Sequence, residues 1–111
     1  LALHAGTCLL VVGRPDGAAA AFTDALRLLP ASCERRGAEI QLGLAAARLD
    51  SGEVEEAQRL TLASLATFAA QGSVAGLRQI RELRGTLQAR GHVGAVGAID
   101  ERARVLGALP V

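Results

Sequence analysis

Lysine is absent from this chain: all twelve basic side chains are arginine, and eleven acids nearly balance them. A net charge of +1 argues against a dedicated nucleic-acid surface, which carries a marked basic excess. Tryptophan, tyrosine and methionine are also missing, and phenylalanine occurs twice. Bases would therefore have only Phe22 and Phe68 to stack on, and both fall on apolar helix faces. So few aromatic and β-branched residues disfavour a sandwich or barrel. Cys8 and Cys33 have no CxxC spacing and are too few for a secreted disulfide scaffold, so they read as two small buried thiols in preference to a bridge. Apolar runs are only a few residues long, so no membrane span is expected. The start, Leu1-Ala2-Leu3-His4, lacks a basic region followed by a long apolar stretch, and no signal peptide is read there. Because it opens inside an apolar pattern without Met, the sequence is expected to be a piece of a longer protein.

Catalytic and ligand motifs are missing as well. The sequence has no GxxxxGK[ST] phosphate loop, no GxSxG elbow and no HExxH pair. His4 and His92 lack a second ligand at metal spacing. Gly91, Gly94 and Gly97 do not follow a strand, and Cys8 has no neighbouring base. Glu53, Glu55 and Glu56 open a helix, where its dipole accounts for them. No enzyme activity, metal or cofactor is expected.

What is present favours helix. Ala, Leu and Arg, which lose least on entering one, dominate the 111 residues. Half the residues are apolar, too many for a disordered chain, and the length suits one domain. Gly13, Gly52 and Gly91 are spaced 39 residues apart, twice. Five residues after each comes Ala18, Ala57 or Val96; seven further on comes Ala25, Ser64 or Ala103. Ala5, Leu44 and Leu83 precede the glycines by eight. The third copy departs from the first two, with Arg84 where they have Gly6 and Ala45, and Asp100 where the first has Phe22. A glycine coinciding with several apolar registers points to an internal repeat.

Each copy reads as helix, tight turn, helix. The first two helices are expected over about 2–12 and 16–29, with Pro15 at the entry and Pro30 at the exit of the second. Ser32 is the expected N-cap of the third, which runs to about Asp50 with Ile40, Leu44 and Ala47 on one stripe. The fourth buries Val54, Ala57, Leu60, Leu65 and Phe68, and stops at Gly72. Ser73 caps the fifth, about 74–90, with Leu77, Ile80, Leu83 and Leu87 inward. The sixth, about 93–107, carries Val93, Val96, Ile99, Ala103 and Leu106 on one face.

Gly13, Ala18, Phe22, Ala25 and Pro30 resemble the second half of a tetratricopeptide repeat, and Gly6 and Leu9 match its first-helix positions. Ala45, Gly52, Ala57 and Ser64 continue the match in the second copy, where Thr61 replaces the aromatic. Leu83, Leu87, Gly91 and Ala103 carry it into the third. The period of 39 exceeds the family's usual length of about 34. The stretch from Gly72 to Arg84, with Ala95-Val96 and Ile99 to Arg102, resembles the C-terminal helical region of actinobacterial helix-turn-helix transcription regulators. In those proteins the DNA reader lies upstream, so no direct nucleic-acid contact is expected from this segment.

These resemblances imply an all-α, right-handed superhelical stack of three helical hairpins, about six helices, over 1–30, 33–70 and 74–107. They imply a protein-interaction or signal-receiving module of a larger bacterial regulator, in the cytoplasm, holding a partner helix or peptide in a concave groove. At groove-lining positions the pattern places Leu42, Ala46, Asp50, Arg78 and Arg81, with Leu3, Thr7, Leu10, Val11 and Glu39. Arg78, Arg81 and Arg84, at three-residue steps, form either a cationic edge for a partner's carboxylate or phosphate, or a solvated flank offset by Glu82. Leu3, Leu10 and Leu42 are either groove or core. Two other functions fit the pattern: a homodimerisation module, and a small-molecule or peptide sensor with an apolar pocket between hairpins.

Overall fold

The computed structural model describes residues 15–108. Within them lie five α-helices and no strand: α1 (Pro15–Leu28), α2 (Glu34–Asp50), α3 (Val54–Gln71), α4 (Val74–Ala89) and α5 (Val93–Val105). The helix expected over 2–12, the Gly13 turn, His4, Cys8 and the groove positions Leu3, Thr7, Leu10 and Val11 lie outside the described residues.

The turns follow from glycine. Gly52, Gly72, Gly91 and Gly107 all adopt positive φ, where a side chain would be strained. After each, the next backbone N–H reaches back to a carbonyl in the last helical turn. Glu53 donates to Arg48 at 2.8 Å, Ser73 to Phe68 at 2.9 Å, His92 to Leu87 at 2.9 Å and Ala108 to Ala103 at 2.8 Å. The α2–α3 and α4–α5 turns are the same structure 39 residues apart. The bonds from Ser51, Gly52, Glu53 and Ala57 to residues 47, 49, 48 and 53 recur from Arg90, Gly91, His92 and Val96 to residues 86, 88, 87 and 92. The same closure recurs at Gly72 and Gly107, so it belongs to each glycine turn rather than to the 39-residue spacing. Helix lengths do not follow that spacing either, since α3 has 18 residues and α5 has 13.

Helix starts divide into two kinds. Ser73 is a true N-cap, its hydroxyl accepting from the Gly76 N–H at 3.1 Å. Ser32 is not the cap expected of it. The Cys33 N–H bonds to the Pro30 carbonyl at 3.0 Å, and this turn makes Cys33 the N-cap of α2. Glu53 and His92 cap α3 and α5 without a side-chain bond, and Glu55 and Glu56 place negative charge in the first turn of α3. With Pro30 ahead, α1 ends at Leu28, one residue short of its expected end, because the residue before proline avoids the helical region.

The helices form two layers, α2 and α4 in one and α1, α3 and α5 in the other. Sequential helices pack on each other, α2 also touches α4, and α3 touches α5. The described body measures 34 × 34 × 19 Å, the thinnest axis being about two helix diameters. Phe22, Ile40, Leu65, Phe68, Ile80, Leu87 and Ile99 are essentially sealed from solvent. Each such side chain contributes about 1.5–3 kcal/mol. Thr61, at the aromatic position of its copy, is also sealed, and its hydroxyl bonds the Ala57 carbonyl at 2.7 Å. Ser64 Oγ lies 3.0 Å from the Ala38 carbonyl of α2 and 3.0 Å from the Leu60 carbonyl of its own helix.

Close approach of α1 to α2 and of α3 to α4 depends on two glycines. A Cβ at Gly43 of α2 would stand 2.6 Å from Cε1 of Phe22 on α1. A Cβ at Gly76 of α4 would run into the ring of Phe68 on α3. Each phenylalanine ring therefore packs directly against a helix backbone.

One expected face is corrected. Val93 and Leu106, placed inward on α5 by periodicity, are exposed, Val93 at 77%. The buried line is Ala95, Val96, Ile99 and Ala103. Val93 is the first residue of the helix, where no described neighbour reaches it.

Candidate interaction surface

The residues expected to line a groove are dispersed. Leu42 is buried with the core, because α2 is packed by α1, α3 and α4 together. Ala46 is half-buried against that core. Glu39 is engaged by Arg35 at 3.9 Å and Arg36 at 3.5 Å. Asp50 is exposed and pairs with Arg90 at 3.1 Å, tying the C-terminal end of α2 to that of α4. Arg78 and Arg81 are exposed on α4. They lie about 13–18 Å along the axis from that tie, by helix rise alone. The apolar floor is thus core, and the accessible part of the expected site is polar.

The three arginines do not act alike. Steps of three residues turn by about 300°, so positions 78 and 84 are roughly 120° apart around α4. Arg78 and Arg81 face solvent, while Arg84 turns inward beside Ile80 and Leu83. Its guanidinium grips Asp100 of α5 with two bonds, Nε at 2.6 Å and Nη2 at 2.8 Å, and reaches Gln88 at 3.2 Å. This bidentate bond holds the Asp100 carboxyl below the usual aspartate range, with the Arg84 charge adding to it and burial opposing it. Arg84 is therefore a tie between α4 and α5 and leaves the cationic edge. The signal was in the repeat: Arg84 and Asp100 are the third copy's two polar departures, and they meet.

Elsewhere the surface charges pair locally. Arg59 holds Glu56, Arg104 holds Glu101, Arg27 holds Asp24 and Arg48 holds Glu53. The Glu56 and Glu101 carboxyls are lowered by the hydrogen bonds of their arginines. Arg78, Arg81 and Glu82 take part in no ion pair among the described residues, although Arg78 and Glu82 are one helical turn apart. Arginine N-terminal to glutamate is the weaker orientation for an i,i+4 pair.

A shallow cleft of about 550 Å³ opens on the other layer, where α1 and α3 make no contact with each other. Leu26, Leu29, Gly37, Ala38, Ala66 and Ala70 line it, with the free thiol of Cys33 at its rim. No group of three or more His, Cys, Asp or Glu among the described residues is arranged to hold a metal. No described helix is long and apolar enough to cross a membrane.

In comparisons with known proteins, no family model, curated protein or solved structure matches the chain.

Proposed function

We propose that this chain is a protein-interaction module of tetratricopeptide-like character within a larger bacterial regulator, and that it works in the cytoplasm. Consecutive helices packed in two layers and joined by glycine-closed turns support a stack of hairpins, each burying its apolar face against the next. The observation that carries the functional reading is the α4 flank. Arg78 and Arg81 stand exposed on α4 and without ion partners among the described residues, on a surface where most other arginines hold a carboxylate. Arginine in that state is suited to a charged group on a protein or peptide partner. Arg78→Glu with Arg81→Glu is expected to leave the helical circular dichroism intact and to weaken partner capture more at low salt than at high salt. Unchanged capture at both salt concentrations refutes the reading.

The cleft beside Leu26, Leu29 and Ala66 favours a second reading, a sensor for a small apolar ligand between hairpins. A ligand-dependent rise in melting temperature, lost in Ala66→Phe, would distinguish it.

A further inference from the structure

Ala75, Arg78, Glu82 and Gly85 follow one another on α4 at steps of three, four and three residues, and all four are exposed. That spacing keeps them on a single seam of the helix, opposite the buried line Gly76, Ile80, Leu83 and Leu87. The seam reads small, positive, negative, small. A second α4 laid across it antiparallel presents the reverse order, small, negative, positive, small. Arg78 then faces Glu82 of the other copy, and Glu82 faces Arg78, around a two-fold axis that crosses the seam midway between them. Ala75 opposes Gly85 on both sides. Nothing lies within 4 Å of the position a Gly85 Cβ would take, so the backbones are free to approach. Neither charge has an ion pair within its own described chain.

We propose that the partner of this flank is a second copy of the chain, docked α4 to α4 in antiparallel register through two symmetric Arg78–Glu82 pairs. This rests on the reading of α4 as an interaction surface and names its occupant. Self-complementarity is what a two-fold contact requires, because the same patch must serve both sides. Glu82 sets this occupant apart from an acidic peptide, which it would repel. Arg81 lies on the flank of the seam, near its own mate across the axis, and opposes the pairing. One helix face on another is a small interface, so the dimer is a weak one that forms and separates readily.

Sedimentation velocity of the full chain from low to high micromolar concentration tests this. The expected result is a mass that rises with concentration toward twice that of the monomer. Arg78→Glu alone and Glu82→Arg alone each weaken self-association about tenfold, since each reversal turns two symmetric attractions into repulsions. The double variant, Arg78→Glu with Glu82→Arg, restores it, and circular dichroism shows all three folded. A monomer at every concentration, or a dimer that the exchange does not restore, overturns the proposal. A labelled Glu-rich helical peptide separates this failure from that of the surface itself. If wild type stays monomeric and the peptide binds, more weakly to Arg78→Glu and more tightly to Glu82→Arg, the flank is an interaction surface and the second copy is not its occupant.

Discussion

Replacing Gly76 by alanine adds one methyl group at a place where the structure has no room for it. Gly76 is the third residue of α4, and there the substitution gains about 0.5–1 kcal/mol from lower backbone entropy in the unfolded chain. Against this, the new Cβ overlaps the Phe68 ring, and Phe68 has no exposed surface into which it could swing. Either α3 and α4 separate or the ring leaves its rotamer, which costs about 1–3 kcal/mol. Gly97 is the control: it lies inside α5, exposed, with nothing within 4 Å of the added atom. Its alanine variant receives the same entropic gain without the overlap. The difference between the two variants therefore isolates the overlap, at about 1–3 kcal/mol, or about 5–20 °C in melting temperature for a domain of this size. Urea unfolding followed by circular dichroism at low micromolar concentration measures it. Gly97→Ala is expected above wild type and Gly76→Ala well below Gly97→Ala. Equal stabilities for the two variants would refute the claim that Phe68 lies on the α4 backbone.

Two further outcomes follow from the packing and the charges. Ala57 is sealed within the α2–α3 hairpin and Ala75 is exposed, so Ala57→Leu is expected to destabilise by about 1–3 kcal/mol more than Ala75→Leu, read from urea midpoints. The Asp100 carboxyl is lowered in the folded chain, so its contribution to stability is present above the unfolded value of about pH 4 and is lost as pH falls through the folded value. Asp100→Asn should therefore lower the melting temperature at neutral pH and shrink its fall below pH 4, a fall that Glu56 and Glu101 still sustain in part; an unaltered acid limb would count against the Arg84 tie.

Turns and helix spans were legible in the sequence because single residues dictate them. Gly52, Gly72 and Gly91 each sit where the backbone takes positive φ, and Ser73 caps as its position suggests. Periodicity found the inward lines of α2, α3 and α4 because each of these helices has neighbours along its length. It failed for Val93 and Leu106, since a stripe records which residues share a face and not how far the neighbour extends. Ser32 failed as a cap for a local reason: the turn closed by Pro30 delays helix entry by one residue. The site was less legible. Leu42 lies on the face of α2 that a groove would need, and only the three-dimensional arrangement shows that face covered. Steps of three made Arg84 look like a companion of Arg78, and the rotation of the helix separates them. The places of Phe22 over Gly43 and Phe68 over Gly76 could not be read at all, because sequence separations of 21 and 8 follow no common register.

Those two ring-on-backbone contacts give the stack a direction. In both, the ring comes from the earlier helix of a consecutive pair, α1 or α3, and the glycine from the helix that follows it, α2 or α4. The pair α2–α3 carries a socket for the helix before it and a plug for the helix after it. The pair α4–α5 has the socket at Gly76 but no aromatic residue anywhere on α5. The units are therefore not interchangeable. A second α2–α3 hairpin spliced in after the first would find its socket filled and offer its own plug onward, so the series could lengthen there. A copy of α4–α5 placed at the same point would leave the following socket empty and end the series.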